Sequence, residues 1–290
     1  MTLLARLASL YLFAALGFVA GRKLAVRKES IAPLLIYMLT PLVVFRGAIT
    51  ADTRALRLPL LVIALSCAAC LAAHAVARRW FTPPSAGILG FAAGNSNSGY
   101  FGLPAATAVL GEAAFAQAVL ISFGFVLFEN TLGFYVAARG RFTARQSLCK
   151  LLRLPTLYAF ILGLGLHAAG VGVSDNVESV LTTVRGAYGV LGMMLLGLAV
   201  ADLPHVRFDL RFTGFALVCK FLMYPALAAL AIACVPLTPL EQRGLMLAAI
   251  LPMAANTVAY ATLFGSEPEQ VSLSVVASTL LSPLLIVAFF

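Results

Sequence analysis

Charged side chains are scarce in this chain: only 11% of its 290 residues are charged, and only 11 residues are acidic. Soluble domains carry roughly 25% charged residues, so this low share argues against a soluble protein. With 62% hydrophobic residues, the chain has the composition of an integral membrane protein. The net charge of +9 does not indicate nucleic-acid binding, because the basic residues form no face with interleaved aromatic side chains.

Motifs that would indicate an enzyme or a metal protein are also missing. The sequence has only three histidines and contains neither HExxH nor GxxxxGK[ST], the signatures of a zinc protease and of an ATP-binding loop. Cys67 and Cys70 form a CxxC pair, but they lie on a continuous apolar run without a second pair or a neighbouring histidine. We therefore expect no enzyme, no cofactor and no metal site.

Apolar runs long enough to cross a bilayer, which takes roughly 20 residues, follow one another along the whole chain. They predict an all-α protein with ten transmembrane helices and leave no room for a soluble domain. The predicted spans are residues 3–21, 31–50, 58–77, 86–111, 115–138, 155–173, 178–201, 211–233, 241–265 and 270–289.

Basic residues are concentrated on one side of these predicted helices. Thirteen of the 20 Lys and Arg residues fall in the first, third, fifth and seventh links, whereas four fall on the other side. The positive-inside rule therefore places those odd-numbered links in the cytoplasm and both termini outside. The longest of them, residues 139–154, is a short basic link that divides the chain into two five-helix halves, residues 1–138 and 155–290.

An odd number of crossings in each half inverts the second half relative to the first. Residues 108–120 align without gaps with residues 262–274, each combining a helix end, a Gly-acidic turn and a new helix. In this register, a polar interruption of helix 4 matches an interruption of helix 9. Paired interruptions in two inverted halves are the best sequence indication of a transporter's binding site.

The helix 4 interruption is GNSNSGYFGLP, residues 94–104, and the helix 9 interruption is LPMAANTVAY, residues 251–260. Non-helical backbone at membrane depth must be buried in protein or line a cavity, and the exposed N–H groups of a half-helix start suit a carboxylate. Small residues that only permit tight helix packing are the alternative, which two asparagines and a paired interruption make less favoured. The candidate substrate-binding residues are Asn95, Ser96, Asn97, Ser98, Tyr100, Pro104, Pro252 and Asn256.

Ionisable residues inside the predicted spans are functional candidates by default. Lys220 lies near the middle of helix 8 and Glu129 lies deep in helix 5. One hypothesis is that Glu129 carries a coupled proton while Lys220 supports the crossing or senses the anion; the other is a permanent Lys220 to Glu129 ion pair. Arg46 and Arg185 lie nearer helix ends, where we expect them to reach the headgroups.

Five segments resemble the auxin efflux carrier family, which includes the plant PIN-type exporters and bacterial carriers of malonate, malate and similar acids. The resemblance covers nearly the whole chain, and the helix 4 segment is its most specific part. The segments are YMLTPLVVF at 37–45, NSNSGYFGLPAATAVLG at 95–111, LPTLYAFILGL at 154–164, KFLMYP at 220–225 and LPMAANTVAYATLFG at 251–265.

The resemblance implies a fold similar to sodium/proton antiporters and bile-acid symporters, with two inverted five-helix repeats whose helices 4 and 9 cross at their breaks. It also implies a homodimer in a bacterial inner membrane, with helices 1, 2, 6 and 7 as a scaffold and helices 3–5 and 8–10 as a moving core. The chain departs from long plant members by lacking their large hydrophilic central loop.

Together these features predict a secondary transporter of a small organic anion, a mono- or dicarboxylate such as malonate or malate, with possible proton coupling. The alternatives are an exporter of a larger amphipathic or auxin-like acid and, less favoured, an anion channel. A large aromatic ligand is disfavoured because Tyr100 and Tyr260 are the aromatic residues that the sequence places near the breaks.

Overall fold

The structure is a computed structural model that describes residues 3–51, 56–138, 149, 152–201 and 209–290. All regular secondary structure in these ranges is helical. We number the helices α1 to α10 and give the halves of a broken helix the letters a and b. Most of the predicted basic link, residues 139–154, lies outside the described residues.

The helix bounds follow the predicted apolar runs. Helix α2 comprises Lys28–Leu34, a π-helical turn Leu35–Leu39 and Thr40–Ile49; α5 comprises Phe115–Phe128, a π-helical turn Glu129–Gly133 and Phe134–Ala137; and α8 comprises Leu210–Val218, a π-helical turn Cys219–Met223 and Tyr224–Cys234. The other helices are α1 Leu3–Leu24, α3 Arg57–Ala77, α4a Pro83–Gly94, α4b Leu103–Leu110, α6 Pro155–Ala168, α7 Asp175–Ala201, α9a Pro239–Ala249, α9b Asn256–Phe264 and α10 Pro268–Phe289. Within the described residues, six helices are long and apolar enough to cross a membrane alone, namely α2, α3, α5, α7, α8 and α10. The count of ten crossings stays a prediction.

Three of the helices widen into a π-helical turn just before a proline. The turns Leu35–Leu39, Ser98–Gly102 and Cys219–Met223 precede Pro41, Pro104 and Pro225 respectively. Proline has no N–H to donate, and its ring clashes with the preceding helical turn, so a wider turn relieves the clash. The sequence predicted uninterrupted helices α2 and α8 because proline spacing alone does not distinguish a kink from a widened turn.

The two broken helices begin and end in the same way. Thr82 and Thr238 each precede a proline and accept a hydrogen bond from the backbone N–H three residues on, which caps α4a and α9a. Gly111 and Gly265, which the sequence alignment had matched, follow α4b and α9b with positive φ values of 87° and 59°. A positive φ favours glycine because other residues carry a Cβ that clashes there. The local correspondence between the halves is therefore wider than the alignment had indicated.

Close backbone approaches hold two helix pairs together. At Gly17 and Gly197 of the α1 and α7 pair, an added Cβ would overlap a backbone carbonyl oxygen of the opposite helix. Gly163 of α6 lies in the same way against the Phe45 carbonyl of α2. These contacts join helices that the family resemblance assigns to the scaffold, while the division into scaffold and moving core remains a prediction.

Candidate functional site

The interruptions of α4 and α9 meet each other. Helix α4a ends at Gly94, and Asn95 leaves the helix with extended backbone angles. Helix α9a ends at Ala249, and helical structure resumes only at Asn256. The Asn97 N–H donates a hydrogen bond of 2.9 Å to the Pro252 carbonyl oxygen. The two non-helical segments are therefore in direct contact.

Serine hydroxyls satisfy much of the opened backbone at the helix 9 break. Ser282 donates to the Ile250 carbonyl at 2.8 Å, and Ser278 accepts from the Met253 N–H at 3.0 Å. Ser96 donates to the Ala248 carbonyl at 3.1 Å. Our interpretation of the sequence missed Ser278 and Ser282, although their spacing of four places both on one face of α10.

Lys220 meets the end of α4a. Its side chain is fully buried, and its ammonium donates to the Asn95 carbonyl at 3.2 Å and also to the Ser96 hydroxyl. The Tyr224 ring lies 4.8 Å from the same ammonium. The C-terminal end of a helix carries a partial negative charge, so a cation is stabilised there. These contacts fit the hypothesis that Lys220 supports the crossing.

Glu129 accepts a hydrogen bond from one side-chain amide of each break. Its carboxylate accepts from Asn95 Nδ2 at 3.3 Å and from Asn256 Nδ2 at 3.0 Å, and Tyr260 is a further hydrogen-bond partner. Glu129 is the first residue of the π-helical turn of α5. Asn95 thus links the two charges, because its carbonyl accepts from Lys220 while its amide donates to Glu129.

A cavity of about 270 Å³ lies against the meeting breaks. Buried polar groups converge on it: Ser122 donates to Ser98 at 2.8 Å, while Asn97 is only 4% exposed. The Asn97 amide nitrogen has no hydrogen-bond partner among the described residues. A buried amide without a partner is costly, and a site that receives a polar ligand gives a reason for it. The predicted site residues that line the cavity are Asn95, Ser96, Asn97, Ser98, Tyr100, Glu129 and Asn256.

Three predicted site residues have other positions among the described residues. Pro104 lies in the first turn of α4b behind the π-helical turn, and Pro252 contributes its carbonyl to the contact between the breaks. Lys220 lies on the backbone of the helix 4 break and is absent from the cavity lining that the described residues form. These three residues do not line the cavity that the described residues form, whereas the other seven do.

Four tyrosines line the cavity, two more than the sequence had placed near the breaks. Tyr100 and Tyr188 have ring centroids 5.5 Å apart, and Tyr37 and Tyr260 line the same space. Our interpretation missed Tyr37 and Tyr188 because they lie on α2 and α7, far from the breaks along the chain. The count of aromatic residues in the breaks therefore underestimated the aromatic lining, and the sequence argument against an aromatic ligand loses its basis.

Arginines near the helix ends are paired with carboxylates. Arg46 contacts Glu178 at 2.5 Å, and Arg185 contacts Glu112 at 2.7 Å. Arg57 contacts Glu241 at 2.6 Å. The Glu241 side chain is only 3% exposed, and it also accepts a hydrogen bond from the Thr238 N–H at the start of α9a.

No group of three or more His, Cys, Asp or Glu side chains that could hold a metal ion occurs in the described part of the chain. The chemistry available to the cavity is therefore that of amides, hydroxyls, tyrosines and the Glu129 carboxylate. Such groups can bind and release a polar solute by hydrogen bonding and charge.

Comparisons with known proteins identify the family of this chain. A family model described as "Membrane transport protein" matches residues 136–290, which is more than half of the chain. An uncharacterised transporter of Methanocaldococcus jannaschii is 26% identical over 194 residues, an alignment that covers 66% of this chain and 63% of the relative. The chain thus matches just under two thirds of that relative's length. The protein belongs to the membrane transport protein family of the auxin efflux carrier type.

Proposed function

We propose that this membrane transporter is a secondary carrier that moves a small organic anion, a mono- or dicarboxylate such as malonate or malate, by alternating access. The observation that carries the proposal is the unpartnered Asn97 amide in a cavity where two helix breaks meet. Two inverted five-helix repeats, a core that moves past a scaffold, a homodimeric assembly and a bacterial inner membrane with both termini outside complete the proposed carrier.

Amides, hydroxyls and helix starts bind the anion. Helix α9b begins at Asn256 beside the cavity, and the π-helical turn of α4 begins at Ser98. Helix starts carry a partial positive charge, which suits a carboxylate. Lys220 is already engaged with the Asn95 carbonyl and the Ser96 hydroxyl, so its contribution is to hold the helix 4 break in shape.

Glu129 couples binding of the anion to the uptake of a proton. A carboxylate that lines the cavity disfavours a second carboxylate in it, because like charges repel more strongly where water is excluded. Protonation of Glu129 removes this repulsion, so the protonated carrier binds the anion and the two cross the membrane together. Asn95 and Asn256 hold the carboxyl group in place in either state.

A second candidate substrate is a larger amphipathic or aromatic acid, which the protein would export by the same movement. The tyrosine lining formed by Tyr37, Tyr100, Tyr188 and Tyr260 favours it, since aromatic rings present broad apolar faces with a polar tip. The carboxylate of such an acid would use the same amides and helix starts as malonate.

Uptake of labelled malonate into proteoliposomes with an imposed pH gradient tests the proposal. We expect saturable uptake that the gradient stimulates and that Asn97→Ala reduces, while Asn176→Ala, at an exposed asparagine of α7, behaves as the parent. Saturable counterflow of labelled substrate distinguishes a carrier from a channel. Absence of malonate uptake in the parent, together with uptake of an aromatic acid that Asn97→Ala reduces, would replace the first substrate class by the second.

A further inference from the structure

A second cavity of about 350 Å³ lies on the outer surface of the helix bundle, between α1, α7, α9b and α10. This volume falls within the range of roughly 300 to 1,000 Å³ that is typical of ligand sites. It is open at its margins, where Phe18 is 39% and Leu280 is 63% exposed. We call it the lateral groove, and its walls include Tyr11, Ala15, Phe18, Val200, Ala255 and Val276.

The lateral groove has apolar walls, and its few hydroxyl groups already donate hydrogen bonds. Its three hydroxyl groups all donate to backbone carbonyls: Tyr11 to Thr279 at 2.6 Å, Ser272 to Pro268 at 2.8 Å, and Thr279 to Val275 at 2.8 Å. The remaining walls are aliphatic side chains, glycine and the Phe18 ring. A polar solute would lose its hydration there without new donors, so the groove suits a hydrocarbon chain.

The lateral groove is short enough to lie within one leaflet of a bilayer. Along α1 it runs from Tyr11 to Phe18, and along α10 from Ser272 to Leu280. At 1.5 Å per residue these stretches span about 10 to 12 Å. The hydrocarbon core of a bilayer is about 30 Å thick, so the acyl chains of one leaflet occupy about half of that depth.

Basic side chains stand at one end of the lateral groove. Arg22 lies one turn beyond Phe18 on α1, and its guanidinium carbon is 5.8 Å from the Phe18 ring. Lys23 is the next residue, and both side chains are exposed. Glu267 precedes α10 and Glu269 lies in its first turn, so among the described residues we assign the positive charge at this rim to Arg22 and Lys23 of α1. Basic residues at the membrane surface attract anionic headgroups by about 1 kcal/mol each.

We propose that the lateral groove binds one acyl chain of an anionic phospholipid whose phosphate lies on Arg22. The positive-inside rule assigns this lipid to the cytoplasmic leaflet. Ala255 lines both the lateral groove and the central cavity, so the acyl chain packs behind the helix 9 break. The bound lipid thereby supports the wall that separates the substrate site from the bilayer.

Photolabelling of the intact protein in phosphatidylcholine liposomes tests this site independently of transport. The probe is phosphatidylglycerol with a diazirine in its acyl chain, added as a minor component, and mass spectrometry locates the labelled residues. We expect labels on the groove walls of α1, α7 and α10. Ala15→Trp and Val276→Trp, which fill the groove from opposite walls, each lower this labelling about fivefold, whereas Leu60→Trp on the exposed surface of α3 leaves it unchanged.

The headgroup is tested with the same probe and its phosphatidylcholine counterpart. Arg22→Gln lowers labelling by phosphatidylglycerol about fivefold and leaves labelling by phosphatidylcholine unchanged, while Arg79→Gln at another exposed basic position affects neither. Even labelling of all lipid-facing helices, or groove labelling that survives both tryptophan variants, overturns the proposal. A disulfide-linked dimer of Ala15→Cys also overturns it, because a second copy of the chain would then cover the groove.

Discussion

The two helix breaks meet each other, yet their opened backbones are satisfied by different chemistry. At the helix 4 break, a buried ammonium from α8 binds the Asn95 carbonyl. At the helix 9 break, neutral hydroxyls from α10 bind the Ile250 carbonyl and the Met253 N–H. The polar side chains that face the cavity also come mainly from the helix 4 break, including Asn97 and Ser98.

This difference assigns separate tasks to the two breaks. A charged partner holds a helix end more strongly than a hydroxyl does, and it fixes the position of the residues that follow. We therefore expect the helix 4 break to keep its cavity-facing groups, Asn95 to Ser98, in one arrangement. The helix 9 break contributes the Asn256 amide and the Pro252 carbonyl, and we expect its neutral contacts to tolerate more change. Substitutions that remove one contact at a time measure this difference.

Loss of the Lys220 ammonium should have the largest effect. Lys220→Met removes the donor to the buried Asn95 carbonyl and to the Ser96 hydroxyl, and a buried carbonyl left unsatisfied costs about 1 to 3 kcal/mol. We expect transport to fall below about a tenth of the parental rate, with a Tm lower by several degrees. Transport assays and thermal unfolding in detergent measure both effects.

Lys220→Arg is the matched control, because it keeps a cation near the end of α4a with a different shape. We expect it to retain more of the parental Tm than Lys220→Met does. If Lys220→Met unfolded and transported like the parent, the ammonium would have no role in holding the helix 4 break.

Removal of the Glu129 charge should have the next largest effect, confined to the dependence of transport on pH. The Asn95 and Asn256 amides donate to different oxygens of Glu129, so Glu129→Gln keeps one of these two hydrogen bonds and cannot take up a proton. We expect transport that no longer responds to an imposed pH gradient, while counterflow without a gradient stays within about threefold of the parental rate. Uptake measured over a series of external pH values tests this.

Glu112→Gln is the control for Glu129→Gln. Glu112 is 71% exposed and pairs with Arg185 outside the central cavity, so its removal should leave the response to the gradient intact. A parental pH response in Glu129→Gln would exclude Glu129 as the coupling group and leave its role structural.

The sequence predicted the breaks better than it predicted what surrounds them. Local signals sufficed for the breaks, since Asn, Ser, Gly and Pro inside an apolar run disfavour a continuous helix. The link between Lys220 and Glu129 through Asn95 was not predictable, because it requires the relative placement of α4, α5 and α8. Tyr37 and Tyr188 were missed for the same reason: nothing near them in the sequence indicates that they line a cavity.

Removal of the Asn97 amide should weaken binding without weakening the fold. Its nitrogen has no partner among the described residues, so Asn97→Ala removes no donor on which the folded state depends. We expect an unchanged Tm and a KM raised about tenfold, which corresponds to roughly 1.4 kcal/mol for one hydrogen bond to a charged substrate. Asn256→Ala is the contrasting variant. It removes an amide that donates a hydrogen bond to Glu129, so it should alter the pH response instead.

Loss of one α10 hydroxyl should have the smallest effect. Ser282→Ala removes the 2.8 Å hydrogen bond to the Ile250 carbonyl, and one neutral hydrogen bond contributes about 1 kcal/mol. We expect a Tm lower by only a few degrees, with an unchanged KM and an unchanged response to the pH gradient. A loss of transport as large as that of Lys220→Met would show that the two breaks depend equally on their partners. A small loss would instead support a helix 4 break held by charge and a helix 9 break held by exchangeable neutral contacts, because each substitution removes a donor to a backbone carbonyl at one of the two breaks.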